Sequence, residues 1–228
     1  MLGRTLIFSG GEIDDSFAAD YLKEQHFDTV VCADSGLDAA FRLNVPVTYF
    51  MGDFDSVSPQ VLERYRQKEV ENSLKVEWIQ YPREKDATDT HMVLDWVIEK
   101  KPSEIVILGA TGGRLDHFLA NLNLLMLPLK SQIPAVILDQ QNKIYLIDTD
   151  TSILADKVFG KYISLQPLTE KVTGVTLRGF KYLLDDYTMT IGSSRGVSNE
   201  IEDGAKEATV QIKDGVLIVI ESKDMLKS

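Results

Sequence analysis

The chain has 228 residues, of which 44% are hydrophobic and 26% are charged. This length and hydrophobic share suit one large folded domain or two modest ones with a proper core. The chain carries 24 Lys and Arg against 35 Asp and Glu, a formal charge of −11, and no basic run that would neutralise phosphates. The composition therefore argues against binding to nucleic acids or to anionic membranes.

The single cysteine, Cys32, lies in the apolar run Thr29 to Ala33, which predicts a buried and unreactive thiol. One cysteine cannot form a disulfide within the chain, as expected in a reducing compartment. The N-terminal segment lacks the apolar core of a signal peptide, and no apolar run approaches the roughly 20 residues that a membrane span needs. We therefore expect a cytoplasmic protein.

Apolar strands alternate with amphipathic helices in the first part of the chain, the pattern of a parallel sheet covered by helices on both faces. The predicted strands are Arg4 to Ser9, Thr29 to Ala33, Tyr49 to Met51, Val76 to Gln80 and Glu104 to Leu108. A helix is expected after each strand, and the last of these spans Phe118 to Leu127. We expect a Rossmann-like α/β domain over residues 1–138.

Short runs of alternating apolar and polar residues follow, separated by turn signals, which predicts an antiparallel sandwich over residues 139–228. Two of these runs, Ala208 to Ile212 and Val216 to Ile220, are joined through Lys213-Asp214-Gly215. This spacing predicts a β-hairpin.

Acidic residues follow several predicted strands of the first domain. Because ligands of open parallel sheets bind beyond the carboxyl ends of the strands, we expect these side chains to converge at one edge. Glycine-rich turns and helix N-termini at the same edge would offer N–H groups to phosphate. The acidic residues concerned are Asp34, Asp53, Asp55, Asp86, Asp89 and Asp116.

Asp53 and Asp55 come directly after an apolar strand and Gly52. Residues i and i+2 of an extended chain lie on one side, so the two carboxylates would repel each other unless a cation offsets their charge. Mg²⁺ is the commonest such ion, since it prefers carboxylate oxygens and substrate phosphates. The alternative is a solvated turn that leads into a helix at Ser58.

Two further segments offer polar groups with an alternative structural explanation. Asp86 and Asp89 lie on one face of a helix start, where Asp also serves as a cap, and Thr88 could cap the helix or contact phosphate. Arg114 follows a glycine turn that matches neither the dinucleotide nor the Walker A pattern, but its guanidinium could bind a phosphate. The three histidines lack metal-ligand spacing, and no side chain stands in a recognisable nucleophile setting.

Five segments together resemble the motif set of the thiamine pyrophosphokinase family. They are Ala33-Asp34-Ser35-Gly36, Gly52-Asp53-Phe54-Asp55-Ser56, Lys85-Asp86-Ala87-Thr88-Asp89, Gly112-Gly113-Arg114-Leu115-Asp116 and Val197-Ser198-Asn199-Glu200. The resemblance covers nearly the whole chain. It implies an α/β catalytic domain, a β-sandwich that helps to bind thiamine, Mg²⁺, ATP as the donor, and a homodimer with thiamine sites near the subunit interface.

The resemblance also implies roles for single residues. Asp53, Asp55 and Asp89 would be Mg²⁺ ligands, with Asp86, Asp116 and Arg114 completing the catalytic edge. Asp34, Ser35, Thr88 and Arg114 would hold the nucleotide, and Ser198 with Asn199 would hold thiamine. Some relatives place a tryptophan shortly after the last motif, whereas both tryptophans of this chain, Trp78 and Trp96, lie in the first domain.

The expected reaction is transfer of a diphosphoryl group from ATP to the hydroxyl of thiamine, with release of AMP. Without a covalent nucleophile, direct attack on the β-phosphorus is preferred, and either Asp86 or Asp116 would accept the proton. One alternative is a phosphatase of the haloacid dehalogenase type that uses Asp53 as nucleophile. The other is a non-catalytic module that binds thiamine or a nucleotide.

Overall fold

The computed structural model describes residues 1–70, 75–81 and 86–225, with the backbone alone at 68–70. Lys85 of the predicted Lys85 to Asp89 motif lies outside these ranges. The chain divides into two compact units, Met1–Gln140 and Gln141–Ser228. Every helix in the described part of the chain is too short or too polar to cross a lipid bilayer.

The first unit is built on a parallel sheet, as predicted. Its strand order is β4-β3-β2-β1-β5-β6, so the order reverses at β1, between β2 and β5. Ligands of such sheets bind at the carboxyl ends of the strands beside this point. The strands are β1 (Arg4–Phe8), β2 (Thr29–Ala33), β3 (Tyr49–Gly52), β4 (Glu77–Gln80), β5 (Glu104–Leu108) and β6 (Ala135–Leu138).

The strands of this sheet are short apolar runs, and β2 is buried along its whole length, including Cys32. The predicted burial of Cys32 is thus confirmed, and that burial raises the pKa of its thiol, as expected of an unreactive side chain. The helices between the strands are α1 (Asp15–Glu24), α2 (Gly36–Arg42), α3 (Pro59–Val70), α4 (Asp89–Glu99), α5 (Leu115–Leu124) and α6 (Met126–Lys130).

The helix expected over Phe118 to Leu127 begins earlier and is split in two. Leu125 closes α5 and opens α6. Pro128 explains the break, because it has no N–H for the carbonyl of residue 124 and its ring would clash with that carbonyl. Within the first turn of the new helix the missing N–H costs nothing.

The second unit is an antiparallel β-sandwich, as predicted. In one layer β13 lies between β7 and β9, and the other has the order β11-β10-β12-β8. Buried side chains from both layers, such as Leu165, Leu217, Val175 and Val210, form one core. The strands are β7 (Asn142–Ile147), β8 (Thr151–Leu154), β9 (Tyr162–Pro167), β10 (Lys171–Arg178), β11 (Leu184–Thr190), β12 (Glu207–Gln211) and β13 (Leu217–Ser222).

The predicted hairpin through Lys213-Asp214-Gly215 is wrong. β12 pairs with β10 and β8, whereas β13 pairs with β7 and β9, so the connection crosses from one layer to the other. The crossing segment pairs with Thr173 of β10, whose N–H donates to the carbonyl of Asp214 at 2.9 Å. A short Asp-Gly connection marks a change of direction, and it serves a sandwich corner as well as a hairpin.

Candidate active site

The ends of β2 and β3 are tied together at the carboxyl edge of the parallel sheet. The N–H of Asp34 donates to the carbonyl of Met51 at 3.0 Å, and Asp34 has a left-handed backbone with φ of +46°. Gly52 permits this approach, because a Cβ on it would lie only 3.3 Å from the Cα of Asp34. The local backbone thus brings Asp34 beside the Asp53 and Asp55 segment.

Asp34, Asp53 and Asp55 form a cluster in which one carboxylate oxygen of each residue lies within 4.8 Å of the others. The N–H of Asp55 donates to Asp53 Oδ1 at 3.1 Å, and Ser56 Oγ donates to Asp55 Oδ1 at 3.0 Å. We call these three residues the acidic cluster. Three of the six carboxylates that were expected to converge therefore lie together, at the ends of β2 and β3. Asp86, Asp89 and Asp116 are not part of this cluster.

Asp34 carries the clearest electrostatic signature of the cluster. Its Oδ1 is buried and has no hydrogen-bond partner among the described residues. Burial raises the pKa of Asp34, and the charges of Asp89, Asp53 and Asp55 raise it further, while the nearby Ser56 hydroxyl lowers it. An unpartnered carboxylate oxygen facing like charges is suited to a hard cation, for which oxygen is the preferred ligand.

The predicted set of metal ligands differs from this cluster in one member. The resemblance implied Asp53, Asp55 and Asp89, whereas the three carboxylates within 4.8 Å include Asp34 instead of Asp89. Asp89 begins α4 and is close enough to Asp34 for its charge to act on the pKa of Asp34. A metal role for Asp89 stays a prediction.

A cavity of about 410 Å³ lies at this edge of the sheet, at the lower end of the usual size for small-molecule sites. Of the predicted site residues it contains Asp34, Ser35, Thr88, Asp89 and Arg114. Gly112 and Gly113 of the predicted glycine motif also line it. Further lining comes from residues that were not named as site residues, including Ser9, Gly10, Gly11, Glu12, Thr90, Gly109, Ala110, His117 and Asn121.

Two glycine turns form one wall of this cavity. The N–H of Gly11, just after β1, donates to the carbonyl of Gly109, just after β5, at 2.9 Å. A Cβ on Gly11 would collide with that carbonyl oxygen, so the contact requires glycine. The Gly10-Gly11 pair at the end of the first strand was the sequence signal that could have identified this wall.

Side chains with hydroxyl groups also line the cavity, and one of them caps a helix. Ser9 and Thr90, both buried, lie 2.6 Å apart through their hydroxyl oxygens. Thr88 caps α4, since its Oγ1 accepts from the N–H of His91 at 3.3 Å.

Asp86 is exposed and is not among the residues that line the cavity.

Asp116 is held by Arg114 and stands apart from the acidic cluster. Arg114 Nε donates to Asp116 Oδ1 at 3.1 Å and Arg114 Nη2 to Oδ2 at 2.6 Å, and the N–H of His117 also donates to Oδ1. The hydrogen bond from Arg114 is the main cause that lowers the pKa of Asp116 to about 2. Both side chains are exposed, and only Arg114 lines the cavity.

In the second unit the two predicted thiamine-binding residues differ in burial. Ser198 is exposed, with φ of +58°, and its N–H donates to Ser164 Oγ. Asn199 is 3% exposed. Its Oδ1 accepts from the N–H groups of Tyr182 and Glu200, and its Nδ2 donates to the carbonyl of Tyr182 at 2.8 Å. Asn199 therefore holds two backbone segments together.

The first unit has the features of an enzyme that handles phosphate groups: a Rossmann-like sheet, glycine turns at its switch point and clustered carboxylates beside a cavity. Two protein-family models match the sequence and narrow this class of enzyme to one family. "Thiamin pyrophosphokinase, catalytic domain" matches residues 21–137, and "Thiamin pyrophosphokinase, vitamin B1 binding domain" matches residues 147–217.

Individual relatives agree with these models. The curated thiamine pyrophosphokinase of Bacillus subtilis (strain 168) is 38% identical over 196 residues, which are 86% of this chain and 84% of that protein. A crystal structure of thiamine pyrophosphokinase from Bacillus subtilis matches with a TM-score of 0.83 and 33% identity over 97% of this chain and 100% of that one. A structure from Geobacillus thermodenitrificans matches with a TM-score of 0.79 and 28% identity over 96% and 97%. The chain belongs to the thiamine pyrophosphokinase family and is an enzyme of that kind.

Proposed function

We propose that the protein transfers a diphosphoryl group from ATP to the hydroxyl of thiamine, giving thiamine diphosphate and AMP. The hydroxyl oxygen forms a bond to the β-phosphorus, the bond from that phosphorus to the oxygen bridging to the α-phosphate breaks, and AMP leaves with that oxygen. The observation that carries the proposal is the acidic cluster beside a glycine-lined cavity at the switch point of the sheet. In such transfers the protein mainly positions the reactants and stabilises charge.

Mg²⁺ fits the acidic cluster, because its three carboxylates are hard oxygen ligands and the buried Oδ1 of Asp34 has no partner among the described residues. Asp34, Asp53 and Asp55 would hold the ion, and Asp89 adds negative charge nearby. When bound, Mg²⁺ offsets repulsion between carboxylates and triphosphate and stabilises charge on the transferred group.

Arg114 and the glycine turns supply the remaining phosphate contacts. A guanidinium has five N–H donors, and Asp116 accepts from two nitrogens, so donors remain for a phosphate oxygen. Asp116 fixes the orientation of Arg114 in this scheme. Its low pKa also makes Asp116, one of the two candidates for the base, a weak proton acceptor.

The second unit is proposed to hold thiamine and the first to hold ATP. Ser198 is exposed and offers its hydroxyl to a ligand, whereas the Asn199 side chain ties this segment to the backbone of Tyr182. A homodimer and a cytoplasmic location are further predictions, of which the first is testable by light scattering of the purified protein.

The decisive experiment incubates the protein with ATP, Mg²⁺ and thiamine and measures AMP and thiamine diphosphate in the same sample. We expect the two products in a one-to-one ratio and neither without thiamine. Release of inorganic phosphate, with acyl phosphate trapped on Asp53, would instead indicate the phosphatase alternative. Thiamine binding with no AMP formed would indicate a binding module.

A further inference from the structure

The residue between the two neighbouring aspartates of the acidic cluster has an unusual backbone. Phe54 has φ of +67°, in the left-handed region that a bulky aromatic residue rarely adopts. A conformation of this kind persists only where the surrounding structure imposes it, and such residues gather at functional sites. The structure must therefore contain contacts that hold Phe54 in place.

Those contacts are aromatic. The Phe54 ring stacks on Phe50, with centroids 4.5 Å apart and planes 28° apart, and meets Trp78 edge-on at 5.7 Å and 87°. Both arrangements are favourable for aromatic pairs. Phe50 and Trp78 also contact each other at 5.2 Å.

The two partners of Phe54 are fixed by the sheet. Phe50 lies in β3, is fully buried and is the register partner of Trp78 in β4. Phe54 thus binds the loop after β3 back onto the strands that carry it. Trp78 therefore packs against both the strand β3 and the loop that follows it.

The anchored ring determines where the aspartates on either side of it lie. With Phe54 held at a positive φ, the N–H of Asp55 reaches Asp53 Oδ1, and both carboxylates fall within 4.8 Å of Asp34. A chain free to relax to negative φ at this position would turn the peptide between the aspartates and disperse the three carboxylates.

We propose that Phe54 is a positioning residue whose ring, clamped by Phe50 and Trp78, holds Asp53 and Asp55 in the geometry that binds a divalent cation. The inference rests on the proposed metal-binding role of the acidic cluster. Phe54 itself contacts neither the ion nor the substrates in this proposal; it acts through the two carboxylates.

The test measures Mn²⁺ binding to the full-length protein by electron paramagnetic resonance, with no nucleotide present. We expect Phe54→Ala to weaken Mn²⁺ binding by about tenfold or more, the usual cost of losing a residue that orients metal ligands. Phe54→Tyr keeps the ring and should bind Mn²⁺ as the unaltered protein does. An unchanged affinity in Phe54→Ala would overturn the proposal.

A second variant and a matched control separate positioning from general stability. Phe54→Gly tolerates a positive φ, so it keeps the backbone accessible without the anchor and carries the test if the alanine variant fails to fold. It too should bind Mn²⁺ about tenfold more weakly, and wild-type affinity in it would refute the role of the ring. Phe17→Ala removes a half-buried ring that stacks on Tyr21 in α1, and it should lower thermal stability while leaving Mn²⁺ affinity unchanged.

The outcomes also distinguish this inference from the proposed function. If the unaltered protein binds no Mn²⁺, the metal site itself is refuted, and the role of Phe54 with it. If the unaltered protein binds Mn²⁺ and Phe54→Ala and Phe54→Gly bind it equally well, only the positioning role is refuted.

Discussion

Asp34 and Asn199 are both polar side chains withdrawn from solvent, one in each unit. They differ in hydrogen bonding, because a buried atom of Asp34 lacks a partner in the described part of the chain and the amide of Asn199 has partners at both ends. Asp34 has a buried Oδ1 with no partner among the described residues, next to two further carboxylates. Asn199 is more deeply buried, and both the oxygen and the nitrogen of its side-chain amide form hydrogen bonds with backbone groups. Since most buried polar groups in proteins are hydrogen-bonded, an unpartnered one needs an explanation, and a ligand is the simplest.

The contrast separates two kinds of motif residue by their physical role. The acidic cluster holds like charges together at a cost in stability, which a bound cation would offset. The Asn199 amide adds stability by joining backbone segments. Substitutions in the acidic cluster should therefore affect mainly activity, and substitution of Asn199 should affect mainly stability.

The largest effect is expected at the acidic cluster. Asp55→Asn removes one charge and should lower kcat by roughly 10³-fold, about 4 kcal/mol of transition-state stabilisation, because a metal ligand is lost. The circular dichroism spectrum should not change. The matched control is Asp20→Asn, an exposed carboxylate paired with Lys23, which should keep full activity. Near-normal turnover in Asp55→Asn would remove the metal role from this residue.

The next largest effect is expected at Asn199. Asn199→Ala leaves two N–H groups and a carbonyl without their partner, so the free energy of unfolding should fall by about 2–3 kcal/mol in urea denaturation. Ser198→Ala removes an exposed hydroxyl next to it and should change stability by less than about 0.5 kcal/mol. An Asn199→Ala variant of full stability with a raised KM for thiamine would instead indicate direct contact with the substrate.

Much of the first unit follows from its sequence. Apolar runs predict the parallel strands, and strand ends of a parallel sheet share one edge, so the positions of Asp34, Asp53 and Asp55 were predictable. Membership of Asp34 in the cluster was not, since it depends on a left-handed backbone and on its N–H bond to Met51. Such contacts arise only when two strands have been placed side by side.

The second unit was predictable in class but not in pairing. Alternating runs indicate antiparallel strands, whereas the choice of partner depends on which faces are buried together. The connection at Asp214-Gly215 gives the same local signal for a hairpin and for a crossing between layers, and here it crosses. Similarly, Asn199 and Ser198 are both turn-forming residues in the sequence, and only the packing shows which of them is buried.

A smaller effect, of opposite sign, is expected at Asp34. Burial and the neighbouring carboxylates raise its pKa in the folded state, so the folded state loses stability as the pH rises from 3.8 through that raised pKa. Asp34→Asn should therefore raise the free energy of unfolding at pH 7 by roughly 0.5–1 kcal/mol without Mg²⁺ while abolishing activity. The gain should vanish as the pH falls below 3.8, the ordinary pKa of an Asp side chain, because Asp34 is then protonated in both the folded and the unfolded state.

Mg²⁺ should reverse the order of the two proteins at pH 7. Binding to the folded state stabilises the unaltered protein in proportion to ligand saturation, and Asp34→Asn should gain much less. Thermal unfolding with and without Mg²⁺ measures both differences. A variant that is no more stable than the unaltered protein without Mg²⁺ would show that the cluster is already neutralised by the protein.

The smallest effect concerns Asp116, whose carboxylate is paired with Arg114. Arg114→Gln removes the main cause of the low pKa of Asp116, so that pKa should rise from about 2 toward 3.8. Carboxyl carbon shifts followed by NMR between pH 6 and pH 3 would show a titration midpoint only in the variant. Arg42→Gln, which breaks a similar pair with Asp15, should leave Asp116 unchanged. A midpoint near 3.8 already in the unaltered protein would mean that Arg114 is not paired in solution, and its whole guanidinium would then be available to phosphate.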